Sequence, residues 1–349
     1  MSVSDVNDVP GQGVAARVFK LVAGRATATA PALGESTPGE PGIGVPAPEK
    51  PAEGPAPEMP AEGSAPEKSA EGSAPGETAR PIVLRVQGLT KTFREAGRED
   101  LTAVDDVSFE LAAGETLGIV GESGSGKSTV ARLVCRLLDA DAGSIELAGR
   151  DITRVRGAEL RRAYDDLQMV FQTPTGSFDP RRTLGDGIGE SLRNRGTART
   201  EVRARVEELL GQCDLPADFA DRYPHQVSGG QCQRAALARA LAVEPRVLIL
   251  DEATSALDVT VQRQIMDLLV RLREQHDIAY LFICHNLALV QEFCDRVLVM
   301  SRGRVVEEGV PDDVILSPRS AAARRLVDAL PACSTIPYVS SPSRLERME

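Results

Sequence analysis

The sequence predicts an α/β fold: a parallel sheet with helices on its faces, interrupted by a helical insertion. Three observations predict it. A Gly-rich loop, Gly121-Glu122-Ser123-Gly124-Ser125-Gly126-Lys127-Ser128, stands between an apolar run and an amphipathic stretch. Two further runs, Val247–Leu250 and Ile278–Cys284, are uniformly apolar, as strands buried on both faces must be. Between the loop and those runs, residues from about 172 to 235 read as largely helical. Strands alternating with helices place a chain in the α/β class.

The elements follow in order. Residues 1–80 form a tail rich in Pro, Ala, Gly, Glu and Ser. A nine-residue unit recurs in it at Ala52, Ala61 and Ala70. Such a segment has too little apolar surface to offset its ordering entropy, so the expectation is a disordered tail. It reads as a tether for a partner, or as a neutral tail or the product of a start codon placed too early, and the neutral reading is favoured because termini are permissive. Folded structure is expected from Ile82. Ile82–Val86 and Ala103–Leu111 read as strands from their β-branched, alternating residues. Leu117–Val120 is a short buried strand. After the Gly-rich loop, Val130, Leu133, Val134, Leu137 and Leu138 make one helical face. Thr200 is the expected cap of a helix carrying Val202, Val206, Leu209 and Leu210. Asp258 is the expected cap of another, with Val261, Ile265, Leu268, Leu269 and Leu272 as its core stripe.

Composition excludes several classes. The formal net charge of -11 opposes a nucleic-acid footprint. No apolar run nears the roughly 18 residues of a membrane span. Asp5 and Asp8 precede any apolar stretch, so no signal peptide is expected. Six scattered cysteines lack metal-ligand or disulfide spacing and read as reduced thiols in or near cores.

The loop matches the template G-x-x-x-x-G-K-[ST] at every fixed position. Its backbone N–H groups wrap phosphates, Lys127 reaches the β/γ-phosphates, and the Ser128 hydroxyl holds Mg²⁺. A dinucleotide-type G-x-G-x-x-G is absent. Asp251 and Glu252 end the run Val247–Leu250, at the strand end where open α/β sheets bind ligands. Asp251 is expected to hold Mg²⁺ and Glu252 to polarise an attacking water. Ser228-Gly229-Gly230-Gln231 opens a small-residue helix, whose N-terminus makes a second anion site.

With these motifs in this order, the chain resembles the nucleotide-binding subunits of ABC transporters, over Ile82 to about Pro331. The resemblance implies a P-loop NTPase (RecA-like) core with an antiparallel β subdomain and an inserted helical subdomain. It divides the chain into the 1–80 tail, an ATPase domain at 81–316 and a C-terminal extension at 317–349. Gly121 to Ser128, with Thr129, is its Walker A loop, Val247 to Glu252 its Walker B strand, and Ser228 to Gln231 its signature. Phe93 stands where the family's adenine-stacking aromatic sits. Gln172 looks like the Q-loop glutamine that contacts Mg²⁺, Ser255-Ala256-Leu257-Asp258 like the D-loop, and His285 like the switch histidine that contacts the γ-phosphate. Arg222 to Arg234, Ala103 to Phe109 and Phe178 to Arg181 resemble the oligopeptide/dipeptide importer ATPases, the second ATPase of the heterodimeric pair most. Val227, Cys284, Asn286 and Ser317 to Ala321 depart from that family's usual residues.

The resemblance implies ATP and Mg²⁺ as ligands and a head-to-tail pair of cassettes, with a different ATPase chain or a second copy as partner. It also implies transmembrane permease subunits, an extracytoplasmic substrate-binding protein, and a peripheral place on the cytoplasmic face of the cell membrane. Another transported solute, export, or a soluble non-transport ABC ATPase remain as alternatives.

Overall fold

The computed structural model describes residues 80–94, 100–254 and 257–329. The expected tail up to residue 79, Ser255 and Ala256 of the D-loop, Cys333 and residues 330–349 lie outside the described residues. Along the chain, β1 (Ile82–Phe93) and β2 (Leu101–Ala112) come first, then β3 (Thr116–Gly121) and α1 (Lys127–Val134). β4 (Ala142–Leu147), β5 (Arg150–Asp151), α2 (Gly157–Asp166) and β6 (Leu167–Val170) follow. The insertion holds α3 (Leu184–Ile188), α4 (Glu190–Asn194), α5 (Arg199–Gln212) and α6 (Gly229–Leu241), linked by short 3-10 turns. The chain then forms β7 (Val247–Asp251), α7 (Val259–His276), β8 (Ala279–Ile283), α8 (Leu287–Phe293), β9 (Arg296–Ser301), β10 (Arg304–Gly309), α9 (Pro311–Leu316) and α10 (Ala321–Asp328).

Two sheets result. The first, in the order β2-β1-β4-β5, is antiparallel throughout. The second, in the order β10-β9-β3-β8-β7-β6, is parallel except for its edge strand β10. Both the parallel core and the antiparallel β subdomain agree with expectation. The uniformly apolar strands feed two cores by strict alternation, because successive side chains point to opposite faces. Leu248, Leu250, Tyr280, Phe282, Val297 and Val299 join the core shared with the helical insertion. Val247, Ile249, Leu281, Ile283, Leu298 and Met300 join the core shared with β1, β2 and α1. The described cysteines Cys135, Cys213, Cys232, Cys284 and Cys294 are buried and unpaired as disulfides.

Two helix boundaries differ from the sequence reading. α1 stops at Val134, before Leu137 and Leu138. Arg136 takes a left-handed φ of 56° and the Leu137 N–H returns to the Arg132 carbonyl at 2.8 Å, a Schellman-type stop. One longer-range bond supports that stop, the Arg136 guanidinium donating to the Ile152 carbonyl at 2.9 Å, and a local one to Asp139 at 3.0 Å adds to it. α5 starts at Arg199 with Ala198 as its uncapped N-cap, so Thr200 lies inside the first turn. Asp258 does cap α7, accepting from the Val261 N–H at 3.0 Å.

Candidate functional site

The phosphate loop joins the end of β3 to α1, and two of its glycines are required by backbone approach. A Cβ on Gly121 would fall 2.3 Å from the Met300 carbonyl oxygen. On Gly126, at φ +107°, it would fall 2.3 Å from the Ala103 carbonyl oxygen. The loop is thereby pressed against β9 and β2. Lys127, only 7% exposed, donates to the carbonyls of Gly121 at 2.8 Å and Glu122 at 2.9 Å. Burial pushes its pKa down, while the carboxylates of Glu252 and Asp251 oppose that shift.

Sheet order assembles the rest. β3, β8, β7 and β6 are consecutive neighbours, so whatever follows their carboxyl ends shares one edge. The loop follows β3, His285 follows β8, Asp251 and Glu252 end β7, and Gln172 follows β6. Ser128 Oγ donates to Asp251 Oδ1 at 3.0 Å. Burial raises the Asp251 pKa, and the Ser128 bond works against it. Glu252 has a left-handed φ of 49°, its N–H donating to the Ile283 carbonyl at 3.0 Å. Such a conformation in a non-glycine residue is uncommon and collects at functional sites. Gln172 Nε2 donates to Glu252 Oε2 at 2.7 Å, and His285 Nδ1 lies 3.9 Å from Glu252 Oε1.

A cavity of about 530 Å³ opens over the loop. Gly121, Ser123, Gly124, Gly126, Lys127, Ser128 and Thr129 line it, with Glu252, His285 and Phe93. Leu101 and Ala103 line it too, and the sequence reading missed both. Leu101 stands opposite Phe93 in the β1–β2 register and is 65% exposed, an apolar exposure that no local pattern announces. Glu122, Ser125, Gln172 and Asp251 do not line the cavity. Ser125 is buried with its Oγ unpartnered among the described residues, and Glu122 pairs with Arg325 at 2.7 Å.

The signature segment stands apart, with none of Ser228, Gly229, Gly230 and Gln231 lining this cavity. Ser228 Oγ accepts from the Gln231 N–H at 3.3 Å, and Gln231 Oε1 accepts from the Ser228 N–H at 2.9 Å, a full capping box. Gly230 lets α7 approach, since a Cβ there would meet Val261 at 2.4 Å.

The residues present fit a nucleotide phosphate chain and a hard divalent cation. A fixed ammonium held by carbonyls, an orphaned buried hydroxyl at Ser125, and a hydroxyl–carboxylate pair at Ser128 and Asp251 are donors of the right chemistry. Among the described residues no helix is long and apolar enough to cross a membrane.

The family model described as "ABC transporter" matches residues 104–255. The di/tripeptide transport ATP-binding protein DppF of Pseudomonas aeruginosa is 42% identical over 256 residues, 72% of this chain and 79% of that protein. The oligopeptide transport ATP-binding protein OppF of Escherichia coli is 44% identical over 233 residues, 66% and 70% of the two chains. OppD of Mycobacterium tuberculosis is 45% identical over 257 residues, 72% of this chain, which spans only 42% of that longer relative. Among solved structures, the fold is similar to a dimeric ATP-binding cassette in a post-hydrolysis state bound to ADP and Pi. The TM-score is 0.60 at 30% identity, over 65% of this chain and 98% of that one. It is also similar to cbiO1 of Clostridium perfringens, part of the ABC transporter complex cbiONQ, with a TM-score of 0.61 at 28% identity over 68% and 92%. A phosphate loop and an acid-ended strand on one sheet edge, with relatives of this identity and coverage, establish that the chain belongs to the ATP-binding family of ABC transporters.

Proposed function

We propose that this chain binds ATP with Mg²⁺ and hydrolyses it as the motor subunit of a peptide importer. The observation that carries the proposal is the row of Gln172, Glu252 and His285 along the edge that holds the phosphate loop. Lys127 serves as the fixed cation at the β/γ-phosphates. Ser128 and Asp251 hold Mg²⁺, with Gln172 as a further ligand. The cation, when bound, neutralises charge on the phosphate oxygens. Glu252 accepts the proton of the attacking water, and Gln172 keeps its carboxylate oriented by the 2.7 Å bond. His285 contacts the γ-phosphate, and Phe93 stacks on the adenine.

The signature helix serves a second nucleotide. Its N-terminus, an anion site in its own right, lies off this chain's own cavity. A facing cassette therefore completes each site, closing on ATP and reopening after hydrolysis. The names of the relatives, oligopeptide and di/tripeptide transport ATP-binding proteins, support peptides as the solute. Resemblance to the second ATPase of a heterodimeric pair favours a different ATPase chain as partner. Permease subunits, reached through the Gln172 to Arg181 region, and an extracytoplasmic binding protein complete the assembly on the cytoplasmic face of the membrane.

Glu252→Gln tests this reading. The amide keeps the shape of the carboxylate but cannot take a proton. ATP binding is expected to persist while turnover falls about 10²-fold or more. Turnover near that of the wild type means that another group positions the water.

A further inference from the structure

Helix α10, the last described helix, is held at its start by β10. Glu307 of β10 grips its start, accepting from the Arg319 N–H at 3.0 Å and the Ser320 N–H at 2.7 Å. Ser320 Oγ caps the helix at the Ala323 N–H, 3.0 Å away, and Ala322 and Ala323 are buried. One turn further, Arg325 Nε donates to Glu122 Oε1 at 2.7 Å. Glu122 is a residue of the phosphate loop, and its own carbonyl accepts from Lys127 at 2.9 Å. A helix roughly two hundred residues away in sequence thus touches the loop one bond from its lysine.

We propose that Arg325 is a positioning residue of the phosphate loop, neutralising and anchoring Glu122 so that the loop accepts the polyanionic phosphates of a nucleotide. The inference rests on the ATP reading above. An uncompensated carboxylate in a loop that must receive phosphates repels them by Coulomb's law. The Arg325 guanidinium holds the Glu122 carboxyl below its usual range, chiefly through their hydrogen bond, and Arg302 adds a smaller pull in the same direction. Both partners are about half exposed, so the effect on affinity is modest, about two- to fivefold.

Calorimetric titration of the full chain with ATP and Mg²⁺ tests it. Arg325→Ala is expected to weaken ATP about two- to fivefold, Arg325→Glu more, and Arg325→Lys to restore most of the affinity. In steady-state assays the loss appears in KM rather than kcat. In a Glu122→Gln background, Arg325→Ala is expected to have no further effect, because no carboxylate remains to neutralise. Unchanged affinity in Arg325→Ala, or an equal loss in the Glu122→Gln background, overturns the inference. A loss that Arg325→Lys fails to restore and that tracks a lowered Tm also overturns it, by making the residue merely structural. Lys127→Ala is the control. Its loss of ATP binding beside an unaffected Arg325→Ala sinks only this inference. Unchanged affinity in Lys127→Ala sinks the ATP reading and this inference together.

Discussion

Lys127 carries its charge in a place that burial disfavours. Its partners there are the carbonyls of Gly121 and Glu122, with Asp251 and Glu252 supporting the charge from further away. Such a side chain is held ready for an anion, and Lys127→Ala is predicted to abolish tight ATP binding, measured by calorimetric or fluorescence titration. Asp251 is the opposite case. Burial raises its pKa, so the ionised form costs folding stability, a cost absent at low pH and growing as pH rises through the raised value. Asp251→Asn is therefore predicted to raise the Tm of the nucleotide-free protein at neutral pH while collapsing Mg²⁺-dependent turnover. A lowered Tm contradicts the reading of the carboxylate as a functional strain. At this scale the sequence was legible where chemistry is local. Gly121 to Ser128 and Asp251-Glu252 announce themselves by spacing. Leu101 and Ala103 do not, since strand register brings them to the cavity, and neither does Arg325, which packing brings to Glu122 from about two hundred residues away.

Elements were legible where burial dictates pattern. β7 up to Leu250, and β8, are built of apolar and aromatic residues because both faces are covered, and only Asp251 at the end of β7 is a buried charge. The end of α1 was hidden because its stop is supported by what Arg136 meets outside the helix, at the Ile152 carbonyl. Leu137 and Leu138 keep helical spacing without helical conformation, partly buried against the core that the helix serves. The start of α5 likewise escaped, because Ala198 leaves no capping side chain to read. The loop before α1 offers an element-scale test. Gly126→Ala puts a methyl group 2.3 Å from the Ala103 carbonyl at a left-handed φ, so either the loop or β2 must shift. It is predicted to lower Tm and to weaken nucleotide binding more than tenfold. Gly124→Ala, where no atom lies within 4 Å, is predicted to cost less because only its φ of +78° is unfavourable. Differential scanning fluorimetry with and without ATP separates the two variants, and equal behaviour contradicts the argument.

Among the described residues stand one phosphate loop and one helix opened by Ser228 to Gln231, and the two do not meet at one cavity. Sheet order explains the first half, because strand ends that are neighbours must share an edge. The second half is assigned, under the function proposed above, to another cassette, and that reading rests only on the order of motifs along the chain. No physical pattern in one chain encodes the identity of a partner that supplies the facing surface. The solved structures similar in fold include a cassette described as a dimer bound to ADP and Pi. The most direct test of a shared site is the dependence of ATPase rate on protein concentration. The predicted result is slow hydrolysis by the isolated chain, with specific activity rising steeply as weak pairs form, and rising further when the partner ATPase and permeases are added. Full specific activity at nanomolar concentration, independent of dilution and of any partner, would contradict the account.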